Sequence, residues 1–142
     1  MSRQESGDAR NKRSGQQPLN IIQGLLKRIR DKYMKISVIC VGKVKENFYR
    51  EAIAEYAKRL SRYCKLEILE VEDEKTPDRP SDVMKEQILK KEGERMNRYI
   101  RDDAYKIALA IEGKKMDSER FASKIGGLGV KGVSHIQFLI GG

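Results

Sequence analysis

Gln137-Phe138-Leu139-Ile140-Gly141-Gly142 is an apolar run that closes on two glycines. A run of this length and composition reads as a buried strand. Gly-Gly after it reads as a tight turn where backbone comes close to a ligand or to another segment. Such a turn needs a following element to complete a pocket, so the expectation is either a piece of a larger fold or a ligand edge left open. Working back from it, three more runs have the same character. Ile36-Ser37-Val38-Ile39-Cys40-Val41 is β-branched and closed by Gly42. Lys65-Leu66-Glu67-Ile68-Leu69-Glu70-Val71 alternates in part. Tyr105-Lys106-Ile107-Ala108-Leu109-Ala110-Ile111 is ended by Glu112-Gly113-Lys114. All four read as strands.

Helical patterns separate them. Asn47 can cap a helix from Phe48 to about Arg62, with Tyr49, Ala52, Ile53, Tyr56, Leu60 and Tyr63 as its inward stripe. Ser81 can cap a second, running to about Ile100, with Met84, Ile88, Met96 and Tyr99 inward. Gly93 inside it suggests a close contact or a break. Asp117 or Ser118 can cap a third, short helix with Phe121 and Ile125, after which Gly126, Gly127 and Gly129 read as a flexible connection to a strand from Ser134 to Ile140. The order β-α-β-α-β-α-β predicts an α/β fold, a mostly parallel sheet with helices on both faces.

Met34 opens this regular part. Residues 1–33 read as a separate extension, 1–20 disordered and 18–33 a short basic amphipathic helix with Ile22, Leu25, Leu26 and Ile29 on one face. That helix is either an inert appendage or an RNA or membrane contact. The extension contributes +5 of the +9 net charge, and residues 34–142 contribute +4. A positive excess favours a polyanionic partner without choosing one. The N-terminus is polar and no run is long enough to cross a bilayer, which points away from secretion and membranes towards the cytoplasm. Cys40 and Cys64 read as free thiols there, with a disulfide between them as the alternative. One histidine, His135, and no Cys/His cluster argue against a metal site.

No glycine turn matches the dinucleotide or phosphate-loop patterns, so a nicotinamide cofactor or a nucleoside triphosphate is not expected. There is no Gly-x-Ser-x-Gly. His135, at a strand start, reads as structural. Glu92 and Glu94, beside Lys90 and Lys91, read as a solvated helix face.

Seven segments, taken in order, resemble one family. Met34-Lys35-Ile36 leads through Val41-Gly42-Lys43 to Ala54-Glu55-Tyr56-Ala57-Lys58-Arg59-Leu60. Glu67-Ile68-Leu69-Glu70-Val71, Lys91-Glu92-Gly93-Glu94, Leu109-Ala110-Ile111-Glu112-Gly113-Lys114 and Phe138-Leu139-Ile140-Gly141-Gly142 follow. In register across 34–142 they resemble the front part of the ribosomal RNA large subunit methyltransferase H family, of the knotted SPOUT class. The resemblance implies methyl transfer from S-adenosylmethionine to N3 of a pseudouridine in 23S ribosomal RNA, acting on the 70S ribosome as a homodimer. It also implies that Leu109 and Gly141 line the adenosine site. The family's remaining segment, with a Pro-His stretch, the knot and a terminal helix, has no counterpart in the 142 residues. The implied fold is therefore an incomplete knot, inactive by itself, and no residue is assigned as the base. The alternative is a non-catalytic basic α/β module that binds RNA.

Overall fold

The computed structural model describes residues 20–25 and 33–141. Residues 20–25 are helical and exposed, and belong to the unit Met1–Lys32. The other expectations for 1–33 fall almost wholly outside the described residues. The unit Tyr33–Gly142 carries the alternation: β1 (Met34–Val41), α1 (Asn47–Leu60), β2 (Cys64–Val71), α2 (Asp82–Asn97), β3 (Tyr105–Ala108), α3 (Ser118–Val130) and β4 (His135–Ile140). The strands form one sheet in the order β2-β1-β4-β3, with every pair parallel. Right-handed crossovers then place α1 and α3 on one face and α2 on the other.

Side chains alternate between the faces with period two. Ile36 lies opposite Ile136, and Val38 and Ile107 both lie opposite Phe138. These residues make the face on which α3 lays Ile125 and Leu128. Phe121 of α3 sits 5.9 Å, ring to ring, from Phe138. The other face carries Lys35, Ser37 and Ile39 beside His135, Gln137 and Leu139, and α2 packs above its β1–β2 half. Ile39 on one face and Ile136 on the other are wholly buried. Each contributes about 1.5–3 kcal/mol of apolar burial. Cys40 lies opposite Glu70 and Cys64 opposite Met34, at the two ends of the β1–β2 ladder, and both are free thiols.

Several local expectations are corrected. Glu46, not Asn47, holds the N-cap position of α1, and no side chain caps it. The α1 stripe is not inward: the helix has no buried residue, and Phe48, Tyr49 and Tyr56 are more than half exposed. α2 ends at Asn97, three residues early. Met84 and Tyr99 are exposed, and the residue α2 does bury is Glu92. Gly93 neither breaks the helix nor makes a close contact, since a Cβ there would meet nothing within 4 Å. Gly126, Gly127 and Gly129 lie inside α3 rather than in a connection. Asp117 starts that helix by accepting from the Arg120 N–H, and the packing of Ile125 and Leu128 outweighs the low helix propensity of glycine. β3 ends at Ala108 rather than Ile111: Leu109 N–H still bonds to Leu139 O, but the chain then folds back, Gly113 N–H to Ala110 O.

Candidate functional site

Two polar constellations lie at opposite ends of the sheet. The carboxyl end is a rim formed by the segments that leave β1, β2 and β3 and by Gly141, the last described residue. Gly42 follows β1 with φ +83°, a left-handed conformation that glycine adopts at no steric cost, and its N–H donates to Val71 O. The segment after β2 is pinned by α2. Buried Glu92 accepts the Glu74 N–H at 3.0 Å, Arg95 donates to Glu72 O at 2.8 Å, and Arg95 and Lys91 both pair with the Glu74 carboxylate. The guanidinium of Arg95 holds that carboxyl below its ordinary range.

The carboxyl ends of β3 and β4 are neighbours. Leu109 N–H donates to Leu139 O at 2.9 Å, so Leu109 continues β3 alongside Ile140, and Gly141 lies one step beyond. The structure therefore brings Leu109 and Gly141 to adjacent strand ends. Leu109 is about half exposed at 52%, and Ile111 in the same turn is fully exposed. A Cβ at Gly141 would meet nothing within 4 Å among the described residues. A Cβ at Gly113 would lie 2.9 Å from Ala110 O, so that turn is tight. β1 and β4 are adjacent in the sheet without being consecutive in the chain, and open parallel sheets bind ligands in the crevice outside the carboxyl ends of their strands. An exposed apolar patch beside a backbone turn with room for an approaching group suits a flat heterocycle with polar edges.

The second constellation is a cavity of about 610 Å³ in the amino half of the α2 face, between β2, β1 and β4 and the loop 98–103. Glu67 pairs with Lys35 at 3.1 Å and accepts from Ser37 Oγ at 3.3 Å. The Lys35 hydrogen bond holds the Glu67 carboxyl below its ordinary range, so it is ionised and only accepts. The single Ser37 proton goes to it. Ser37 Oγ, 2.8 Å from His135 Nε2, must then accept from the ring, which fixes the Nε2–H tautomer. Burial first, then Lys35, holds the His135 pKa below its ordinary value. Gln137 closes the wall, donating to Tyr99 O and accepting from the Arg101 N–H.

Sequence reading placed His135 at a strand start as structural, and the structure gives it a structural task. Ser37, Glu67 and Gln137 went unnoticed, and only the period-two register of three strands puts them together. The relay is not a nucleophile triad, because the carboxylate contacts the serine rather than the imidazole. Burial raises the pKa of Cys40, with Glu70 adding to it, and burial raises that of Cys64, so neither thiol is primed as a nucleophile. No helix among the described residues is long and apolar enough to cross a membrane.

Comparison with known proteins gives the family. A family model described as "Predicted SPOUT methyltransferase" matches residues 34–142. Over 109 residues the chain is 63% identical to the ribosomal RNA large subunit methyltransferase H of Bifidobacterium adolescentis, a span of 77% of this chain and 69% of that protein. Proteins of the same name from Bifidobacterium animalis subsp. lactis and Clostridium kluyveri are 54% and 50% identical, with the same coverage.

Proposed function

Since the chain belongs to the SPOUT methyltransferase family, in the group of ribosomal RNA large subunit methyltransferase H, we propose that it serves S-adenosylmethionine-dependent methylation of 23S ribosomal RNA, at N3 of a pseudouridine. The observation that carries the reading is the placement of Leu109 and Gly141 on adjacent strand ends at the carboxyl edge of the sheet. S-adenosylmethionine would supply an electrophilic methyl group on sulfonium. Leu109 and Ile111 offer apolar surface to the adenine, and the backbone around Ala110 and Gly141 offers its polar edges hydrogen bonds. Gly141 leaves the approach open.

What these residues contribute is proximity and alignment, worth several kcal/mol in a displacement that must be in line. The N3–H of the base must also lose its proton, and that needs a positioned acceptor. The described residues bring no obvious base to the rim. His135 is bound up in the relay, at the opposite end of the strand from Gly141. The proposal therefore includes low turnover by residues 1–142 alone. It also includes a homodimer, a cytoplasmic location and the 70S ribosome as the RNA-bearing substrate.

The test is methyl transfer from labelled S-adenosylmethionine to ribosomes lacking the modification, with calorimetric binding of the donor measured in parallel. Donor binding in the micromolar range, with label mapped to N3 of a pseudouridine, supports the reading. RNA binding with no donor binding would favour instead a basic α/β module without catalysis, consistent with the +9 charge.

A further inference from the structure

We propose that two lysine pairs, Lys43 with Lys45 and Lys114 with Lys115, grip the RNA phosphate backbone on either side of the Gly141 turn; this rests on the methyltransferase reading above. The strand order places β4 between β1 and β3. Lys43 and Lys45 stand on the turn that leaves β1, and Lys114 and Lys115 on the turn that leaves β3. Neighbouring strands are about 4.8 Å apart, so the two turns leave the sheet roughly 10 Å from one another with the β4 end between them. Polyanion held by both would lie across the carboxyl end of β4, over Gly141, where the donor is proposed to bind.

What sets the four lysines apart is their place at the carboxyl edge of the sheet; exposed lysines without an ion-pair partner among the described residues also occur off it, as at Lys90 and Lys131. All four are exposed. Lys35, Lys85, Lys91, Arg59, Arg95, Arg101 and Arg120 each pair with a carboxylate, whereas none of the four appears in an ion pair among the described residues. Both turns are held by backbone geometry. One has Gly42 at φ +83° with its N–H on Val71 O. The other is closed by Gly113 N–H on Ala110 O, with no space for a side chain at 113. Short turns fixed in this way hold their flexible ammonium groups near one place. The segment after β2 carries Glu72 and Asp73, with Asp73 against Gly42, and Glu74 paired with Arg95 and Lys91, all on the far side of β1 from β4. Between the turns that leave β1 and β3, the four lysines are accompanied by Glu46 and Glu112, so cations are in excess in that interval. Lysine recognises phosphate as a point charge, without reading sequence. The pairs would therefore set affinity and register, and leave choice of base to the pocket.

The experiment measures binding of an unmodified 23S ribosomal RNA transcript across a salt series. It uses the full chain, Lys43→Ala/Lys45→Ala, Lys114→Ala/Lys115→Ala, and the control Lys90→Ala/Lys131→Ala, which removes the same charge from exposed positions off the rim. Each rim pair should flatten the slope of log affinity against log salt by about 1.4–1.8, at roughly 0.7–0.9 per phosphate contact. The control should change it by less than half of that. Lys→Arg versions should restore the slope, and calorimetric affinity for S-adenosylmethionine should be unchanged. Rim variants that behave like the control, or a wild-type chain with no salt-dependent RNA binding, would overturn the proposal. If the rim effect appears in a chain that never binds the donor, the lysine assignment stands and the methyltransferase reading fails. If the donor binds and the rim variants are silent, the reverse holds.

Discussion

Replacing Gly141 by valine tests the proposed cofactor site with little interference from folding. Gly141 does not have a left-handed φ, and a Cβ there would meet no atom within 4 Å among the described residues. The protein itself therefore has no steric objection to a branched side chain, and the stability change should stay within about 1 kcal/mol, the span of strand propensities. A ligand that approaches the backbone at 141 would meet that side chain. Pushing it away by an ångström or more forfeits at least one hydrogen bond, about 0.5–1.5 kcal/mol, and some apolar contact besides. The combined loss should reach about 1.4 kcal/mol or more, a tenfold or greater rise in Kd. Isothermal calorimetry with S-adenosylmethionine reads the Kd, and thermal unfolding of the same samples reads the stability.

Gly113→Ala supplies the contrast. Its Cβ would fall 2.9 Å from Ala110 O, so the turn must shift, and both stability and donor affinity should fall. A Gly141→Val chain with unchanged melting temperature and unchanged Kd would refute the reasoning, and would make the glycine an ordinary turn residue.

Other substitutions probe the frame. Ile136→Ala removes a wholly buried side chain from the α3 face and should destabilise by about 2–5 kcal/mol, read by urea unfolding. Gly93→Ala has open space for its methyl in the middle of α2 and should stabilise by up to about 1 kcal/mol; a loss of stability would reveal a contact the structure does not show. Glu92→Ala should leave the Glu74 N–H unpaired, cost about 1–3 kcal/mol and speed amide exchange at Glu74, while Glu92→Gln, which keeps the acceptor, should recover most of it. His135 is held neutral, with its folded pKa below the unfolded value, so the unfolded chain binds more protons as pH falls. Stability should therefore be full above about 6.5 and decline as pH drops from there through the folded pKa, and His135→Gln should remove that part of the slope in urea midpoints.

The sheet was legible because its signals are local. The β-branched runs 36–41 and 65–71 lie within the observed β1 and β2, and the β-α alternation gave a parallel sheet. What sequence could not supply were quantities set by neighbours. The period-3.6 stripe of α1 is real, but periodicity marks a face without saying what covers it. Here Phe48, Tyr49 and Tyr56 are left exposed. Glu92 and Glu94 look alike in a run of charges, yet the helix turns only Glu92 onto the chain after β2. The glycines of 126–129 read as a hinge, because propensity counts each residue alone, whereas Ile125 and Leu128 hold the helix through packing on β4. At the site, Gly141 was marked by its own turn chemistry. Leu109 was not, since from sequence it sits inside an unbroken apolar run and only the Leu109–Leu139 hydrogen bond shows where pairing stops.

The relay at the amino end bears on the rim at the other. Lys35, Ser37, Glu67 and His135 come from β1, β2 and β4, and their hydrogen bonds hold only in one register. A one-residue slip in either ladder would turn each side chain to the opposite face and strand buried polar groups among Ile36, Val38 and Ile136. Apolar packing alone specifies register less sharply, because one aliphatic pair replaces another at small cost. Strands are stiff, so the register fixed at Ser37–His135 is carried to Cys40–Ile140 and sets where the Gly42 turn stands relative to Gly141. Gln137 extends the constraint by pinning the loop that leads into β3, and with it the start of the strand that ends at Leu109. The cost of burying a polar network on one half of the sheet is thus tied to the placement, on the other half, of three turns that a donor and an RNA would have to meet together.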